Sequence, residues 1–156
     1  MRILVSGGSG MVGQQLIDSL TYDGHQIIQL VRRAANPEAK ITEFGWDPDH
    51  GSFDSRMLGR IDAAIHLGGV SIAGGRWSPE RKLLIRESRV RSTRLLSQAL
   101  AGMHSPPKVL VVASAVGLYG NRGEEPLTED SEAGEGFLAD TAVRWESAAD
   151  SAREVG

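Results

Sequence analysis

The sequence predicts an α/β fold, a parallel sheet with helices on both faces, and two observations carry that prediction. Short apolar runs rich in Ile, Leu and Val alternate with longer segments whose apolar residues recur at helical spacing. The 19 glycines cluster at the ends of those apolar runs, where a parallel sheet presents its ligand site, rather than spreading as a flexible linker would.

Each element follows from its residues. Ile3-Leu-Val5 is a strand that ends in Ser6-Gly-Gly-Ser-Gly10, and Met11, Val12, Leu16, Ile17 and Leu20 then define a helix stopped by Asp23-Gly24. His25 to Val31 is the second strand, and the βαβ unit so formed requires parallel strands with a right-handed crossover. The polar stretch from Ala34 to Arg60, broken at Asn36-Pro37 and Asp47-Pro48, holds at most a short strand near Thr42 to Trp46. Ile61 to Leu67 is a buried strand ending in Gly68-Gly69. Ser78 caps and Pro79 opens a helix that runs to about Ala101, with Gly102 past its end. Pro106-Pro107 separates it from the strand Val109 to Ala113, which ends in Ser114. An acidic loop then leads to one last helix, from about Gly136 to Glu154.

Composition narrows the class. At 156 residues, with 40% hydrophobic and 24% charged residues, the chain can bury a core without disulfides or metal. Its longest nearly apolar stretch, Val109 to Gly120, is too short for a membrane-spanning helix, which needs roughly 20 residues. The first residues run straight from a short apolar segment into glycines, unlike a signal peptide. The absence of cysteine excludes a disulfide scaffold, thiolate metal sites and a cysteine nucleophile, and fits a cytoplasmic location. A net charge of -3 disfavours nucleic-acid binding. The expected partners are small molecules, with no membrane and no nucleic acid.

Gly7, Gly10 and Gly13 form a G-x-x-G-x-x-G pattern between a strand and a helix. Glycine permits the tight turn, lets a pyrophosphate reach the backbone and lets the helix pack on the strand, while the helix N-terminus offers free N–H groups to the anion. This order of elements is that of a Rossmann-type doubly wound sheet. Arg32 and Arg33 follow the second strand, where an acidic residue would hold a free ribose and a basic one accommodates a 2′-phosphate. NADP(H) is therefore favoured over NAD(H), with Arg32 as the main phosphate partner. The bland alternative is that both arginines are solvated surface charge.

Several stretches are similar to the extended short-chain dehydrogenase/reductase superfamily. They are Ser6-Gly-Gly-Ser-Gly-Met-Val-Gly13, Asp62-Ala-Ala-Ile-His-Leu-Gly-Gly69, Gly75-Arg-Trp-Ser-Pro-Glu-Arg-Lys82, Ser88-Arg-Val-Arg-Ser-Thr93, Ala113-Ser-Ala-Val-Gly-Leu-Tyr-Gly120, Leu127-Thr-Glu-Asp130 and Trp145-Glu146. Within the superfamily the chain most resembles the atypical group of NAD(P)-dependent nucleoside-diphosphate-sugar epimerase-like proteins. The resemblance implies cofactor contacts at Gly7, Ser9, Gly10, Met11, Val12, Gly13, Leu67, Gly68 and Gly69, beside Arg32 and Arg33.

The resemblance also implies a serine at the end of the fifth strand and a Tyr-x-x-x-Lys pair on the next helix, a tyrosine acid whose pKa the ammonium lowers. Ser114 is the candidate serine, although alignment on Tyr119 would put Ala115 there. Tyrosine occurs only at 22 and 119 and lysine only at 40, 82 and 108, so the last helix cannot supply the pair. The segment that usually reads Asn-Val-x-Gly-Thr is Arg89-Val-Arg-Ser-Thr93, which puts an arginine where an asparagine helps place the lysine. Arg89 stays protonated and suits an oxyanion or phosphate, which makes Ser114 and Arg89 the candidate catalytic residues. Lys82, Arg86 and Arg89 share a helical face that is either a site for an anionic ligand or a solvated face offsetting the acidic loop. Trp46, Trp77, Trp145 and Tyr119 read as packing or anchoring residues, and His66 as a satisfied structural imidazole with no metal.

The superfamily's sheet continues past the last helix into further strands and a substrate-binding region. Residues 1–156 are thus expected to be an incomplete NAD(P)-binding domain without that region, truncated before its last strands, with the strand at 109–113 left as an edge open to self-association or to capping by a rearranged last helix. Two functions fit: an NADP(H)-dependent epimerase-like oxidoreductase, or a cofactor-binding or regulatory module without turnover.

Overall fold

A computed structural model of the protein describes residues 1–155. Five parallel strands are ordered β3-β2-β1-β4-β5, with β1 at Arg2–Ser6, β2 at Gln26–Val31, β3 at Thr42–Gly45, β4 at Ala63–His66 and β5 at Val109–Val112. The helices are α1 at Met11–Tyr22, α2 at Pro79–Ala101, α3 at Phe137–Ser147 and α4 at Asp150–Arg153. The doubly wound parallel sheet expected from the alternation of patterns is the fold observed.

Strand parity distributes the core. Leu4, Ile28, Leu30 and Ala64 point to one face and pack with Leu96 and Leu100 of α2, while Trp46, Leu58 and Ile61 close the side. Ile3, Val5, Ile27 and Ala63 point to the other face and meet Ile17 of α1. Such near-continuous apolar strands belong to a sheet buried on both faces. Register places Val109 beside Ala63 and Val111 beside Ile65, which extends the row on the α1 side to β5. There α1 gives no cover, and the two valines are 51% and 49% exposed. β5 pairs only with β4 and forms an edge of the sheet.

Ser78 caps α2 by accepting from the Arg81 N–H, and Pro79 fills the first helical position, as expected. The last helix differs from expectation. Instead of one helix from about Gly136 to Glu154, the chain forms α3 and the single turn α4, with Ala148 and Ala149 between them. At this break Ser97 Oγ of α2 donates to the Ala148 carbonyl at 2.9 Å. The Ala152 N–H bonds to Ala149 O at 2.9 Å, a tighter turn that resets the helix. Met11 and Val12 also leave the apolar stripe of α1, being 80% and 61% exposed on its first turn beyond the strand ends.

Candidate functional site

The glycine loop lies at the carboxyl end of β1, against the end of β4. Gly7 has φ +76°, and a Cβ there would come within 2.7 Å of the Leu67 carbonyl carbon. A Cβ on Gly13 would lie 2.3 Å from Gly7 O, so the first turn of α1 sits directly on the loop. The Gly10 N–H closes the loop onto Gly7 O at 3.0 Å. Side chains are thus excluded where the loop packs against the end of β4 and the first turn of α1, and the first N–H groups of that helix have no partner within it.

Beside this loop is a cleft of about 480 Å³. Gly7, Ser9, Arg32, Arg33, Gly68 and Gly69 line it, which brings together six of the residues singled out from the sequence. Gly10, Met11, Val12, Gly13 and Leu67 are not among the lining residues; Gly10, Gly13 and Leu67 shape the loop behind it, and Met11 and Val12 open to solvent. The sequence reading missed Gln29, Trp46, Pro48 and Asp49, which are among the other lining residues. Only the Asp47-Pro48 break near Trp46 signalled them, since a turn returning over the strand ends is set by tertiary packing.

The two arginines of the cleft differ in their partners. Arg33 makes a two-pronged ion pair with Glu43 of β3, at 2.7 and 2.6 Å, and also donates to Ala34 O at 2.9 Å. Hydrogen bonding and the charge of Glu43 raise the Arg33 pKa, while Arg33 and the Asn36 N–H hold the Glu43 carboxyl below its usual range. Among the described residues Arg32 has only Asp49, at 3.7 Å, and both side chains are largely exposed.

Beneath the cleft His66 is fully buried between Ser6 of β1 and Ser92 of α2. Burial pushes its pKa down to about 4, so the imidazole is neutral. Its ring meets that of Trp46 edge to face at 6.0 Å. The bonded ring ties the ends of β1 and β4 to α2 and supports the glycine loop from below. Among the described residues, no three His, Asp or Glu side chains converge as a metal site requires. Nor is any described helix long and apolar enough to cross a membrane.

The two catalytic candidates lie elsewhere. Ser114 donates a short hydrogen bond to Glu146 of α3, and both line a second groove, of about 510 Å³, between the free edge of β5 and α4. Arg89 spans from α2 to the loop after β4, donating to Ile85 O at 2.9 Å and Val70 O at 3.1 Å, with its guanidinium 5.2 Å from the centre of the Trp145 ring. Burial lowers its pKa. Arg86 lies 3.4 Å from Glu87 and 3.9 Å from Asp140, and the Lys82 ammonium 5.5 Å from the centre of the Phe137 ring. The basic face of α2 is therefore engaged by its own helix, by α3 and by the loop after β4. Trp77 anchors that loop through Nε1–H to Ile72 O at 2.9 Å and packs on Phe137, and Trp145 donates to Thr93 Oγ1 at 2.9 Å.

Comparison with known proteins agrees with this architecture. The profile of the NAD dependent epimerase/dehydratase family matches residues 3–140. The epimerase family protein Mb2239 of Mycobacterium bovis is 40% identical over 99% of this chain and 50% of its own length. The crystal structure of human epimerase family protein SDR39U1 (isoform 2) with NADPH superposes with a TM-score of 0.82 at 30% identity, covering 96% of this chain and 48% of that one. The nucleoside-diphosphate sugar epimerase from Corynebacterium glutamicum superposes with a TM-score of 0.82 at 37% identity, covering 100% of this chain and 32% of that one. The chain thus spans about half the length of the curated relatives it matches. On the fold, the glycine loop and the match over residues 3–140, the chain belongs to the NAD dependent epimerase/dehydratase family.

Proposed function

We propose that this chain is the cofactor-binding half of an NADP(H)-dependent, sugar-nucleotide epimerase-like oxidoreductase. The observation that carries the reading is the cleft itself, in which the glycine loop and Arg32 share one wall. With no side chains at Gly7, Gly68 and Gly69, the cleft would let a pyrophosphate approach the backbone, and Arg32 on the same cleft would supply the cation that a 2′-phosphate needs. When bound, the nicotinamide supplies hydride exchange with a substrate. The chain's own part is to hold the dinucleotide on the loop and the first turn of α1, with His66, Ser6 and Ser92 keeping the strand ends in place.

A second reading, a cofactor-binding module without turnover, is favoured by one observation. The helix that would carry the Tyr-x-x-x-Lys pair has neither residue, and Arg89 is held by Val70, Ile85 and Trp145. The reading also includes self-association through β5, whose valines and free edge invite a further strand.

Titration of the chain with NADPH and NADH tests the cofactor assignment. Arg32→Ala is expected to weaken NADPH about tenfold and NADH less than twofold, and equal binding of both nucleotides by the unaltered protein overturns the NADP(H) preference. Turnover of NADPH by the longest native form with sugar nucleotides or small carbonyl compounds separates enzyme from module. Light scattering tests self-association, which Val111→Lys is expected to suppress.

A further inference from the structure

The cleft contains two arginines but leaves only one available. Arg33 is committed to Glu43 at 2.6 and 2.7 Å and to Ala34 O, so it is not a free cation for a ligand. Among the described residues Arg32 is met by a single group, the Asp49 carboxylate at 3.7 Å, too far for a strong hydrogen bond. Both residues line the cleft.

Asp49 is held there by its own turn. Reciprocal backbone bonds between Asp47 and Ser52, at 2.7 and 2.8 Å, close residues 47–52 into a loop. Inside it the Asp47 carboxylate accepts from the Asp49 N–H at 3.0 Å, from the His50 N–H at 3.2 Å and from the His50 ring at 2.7 Å. Pro48 restricts the backbone just before Asp49. The His50 ring bonds to Asp47 rather than to Asp49.

Building on the dinucleotide reading of this cleft, we propose that Asp49 is a specificity-determining positioning residue. It competes with the ligand's 2′-phosphate for Arg32, so the Arg32–Asp49 pair sets the preference between phosphorylated and unphosphorylated dinucleotides. A phosphate that pairs with Arg32 must displace a carboxylate already within 3.7 Å of it, or tolerate that charge close by. A dinucleotide with a free 2′-hydroxyl meets no such opposition. Asp49 therefore moderates a discrimination that Arg32 alone would make steeper.

Titration of the unaltered chain, Asp49→Asn, Asp49→Glu and the double variant Arg32→Ala/Asp49→Asn with NADPH and NADH tests this at low and high salt. Asp49→Asn is expected to tighten NADPH about fivefold and to leave NADH within about twofold, with the gain shrinking as salt screens the charges. Asp49→Glu, which restores the carboxylate, is expected to stay near the unaltered protein. In the double variant the NADPH gain relative to Arg32→Ala is expected to fall below about twofold, since the competition acts through that arginine. An equal change for both nucleotides, no change, or weaker NADPH binding by Asp49→Asn overturns the proposal while leaving the cofactor reading in place. Binding of neither nucleotide by the unaltered chain overturns the cofactor reading, and the proposal with it.

Discussion

Nε2 of His66 lies 3.0 Å from Ser92 Oγ in the buried layer between the sheet and α2. The Ser92 hydroxyl is also 2.6 Å from Ser88 O and must spend its proton there. It therefore accepts from His66 Nε2–H, and the unprotonated Nδ1 accepts from the Ser6 hydroxyl. One neutral tautomer satisfies all three residues, and protonation of Nδ1 would remove the acceptor that Ser6 needs.

The first prediction concerns pH. Burial depresses the folded pKa of His66 to about 4 from the ordinary 6.5, so between those values the unfolded chain binds more protons. Stability present above pH 6.5 is lost as pH falls towards 4, by roughly 3 kcal/mol at 1.36 kcal/mol per unit. Urea midpoints measured from pH 4.5 to 7.5 should fall on acidification. His66→Gln should be less stable throughout and should flatten that slope. An unchanged slope in the variant would contradict the assignment.

Gly13→Ala should destabilise the chain by about 1–3 kcal/mol, the range for a group forced into a packed site. The added carbon would lie 2.3 Å from Gly7 O and 2.8 Å from Gly8 Cα, both backbone atoms that cannot yield without moving the loop. Gly24→Ala is the control for a glycine with open space around it but with φ +79°. Denaturant unfolding of both should show some loss in each, with nucleotide binding lost only in Gly13→Ala.

Arg33→Ala should leave the ratio of NADPH to NADH affinity within about twofold, in contrast to Arg32→Ala, because its guanidinium is already paired with Glu43. A tenfold loss of NADPH selectivity in Arg33→Ala would show that the Glu43 pair opens on binding.

Thr141→Val should be neutral or stabilising by about 1 kcal/mol. Thr141 is 4% exposed, and its hydroxyl oxygen has no hydrogen-bond partner among the described residues. Replacing the hydroxyl with a methyl of similar volume removes an unsatisfied polar group without opening a cavity. Thermal unfolding of the two proteins decides it.

Several features are legible in the chain itself. Apolar runs too short for helices, such as Ile3-Leu-Val5, and glycines placed after them point to a parallel sheet with a glycine loop at its carboxyl ends. Ser78-Pro79 determines where α2 begins, because capping and the fixed φ of proline act within one turn. The helix break at Ala148 was not legible, since the carbonyl there meets Ser97, a hydroxyl distant in sequence that local spacing does not reveal.

The site divides in the same way. Gly7, Gly13 and the basic pair at 32 and 33 declare themselves by type and position, because glycine conformation and charge are local properties. Only the tertiary structure decided which arginine is available. Glu43 reaches Arg33 because β3 pairs alongside β2, and Asp49 reaches Arg32 because the turn after β3 folds back over the cleft. The sequence by itself determines the order of the elements and the chemistry of the glycine loop. The partners of each charge follow from strand pairing and turn placement, which bring together residues that local spacing does not connect.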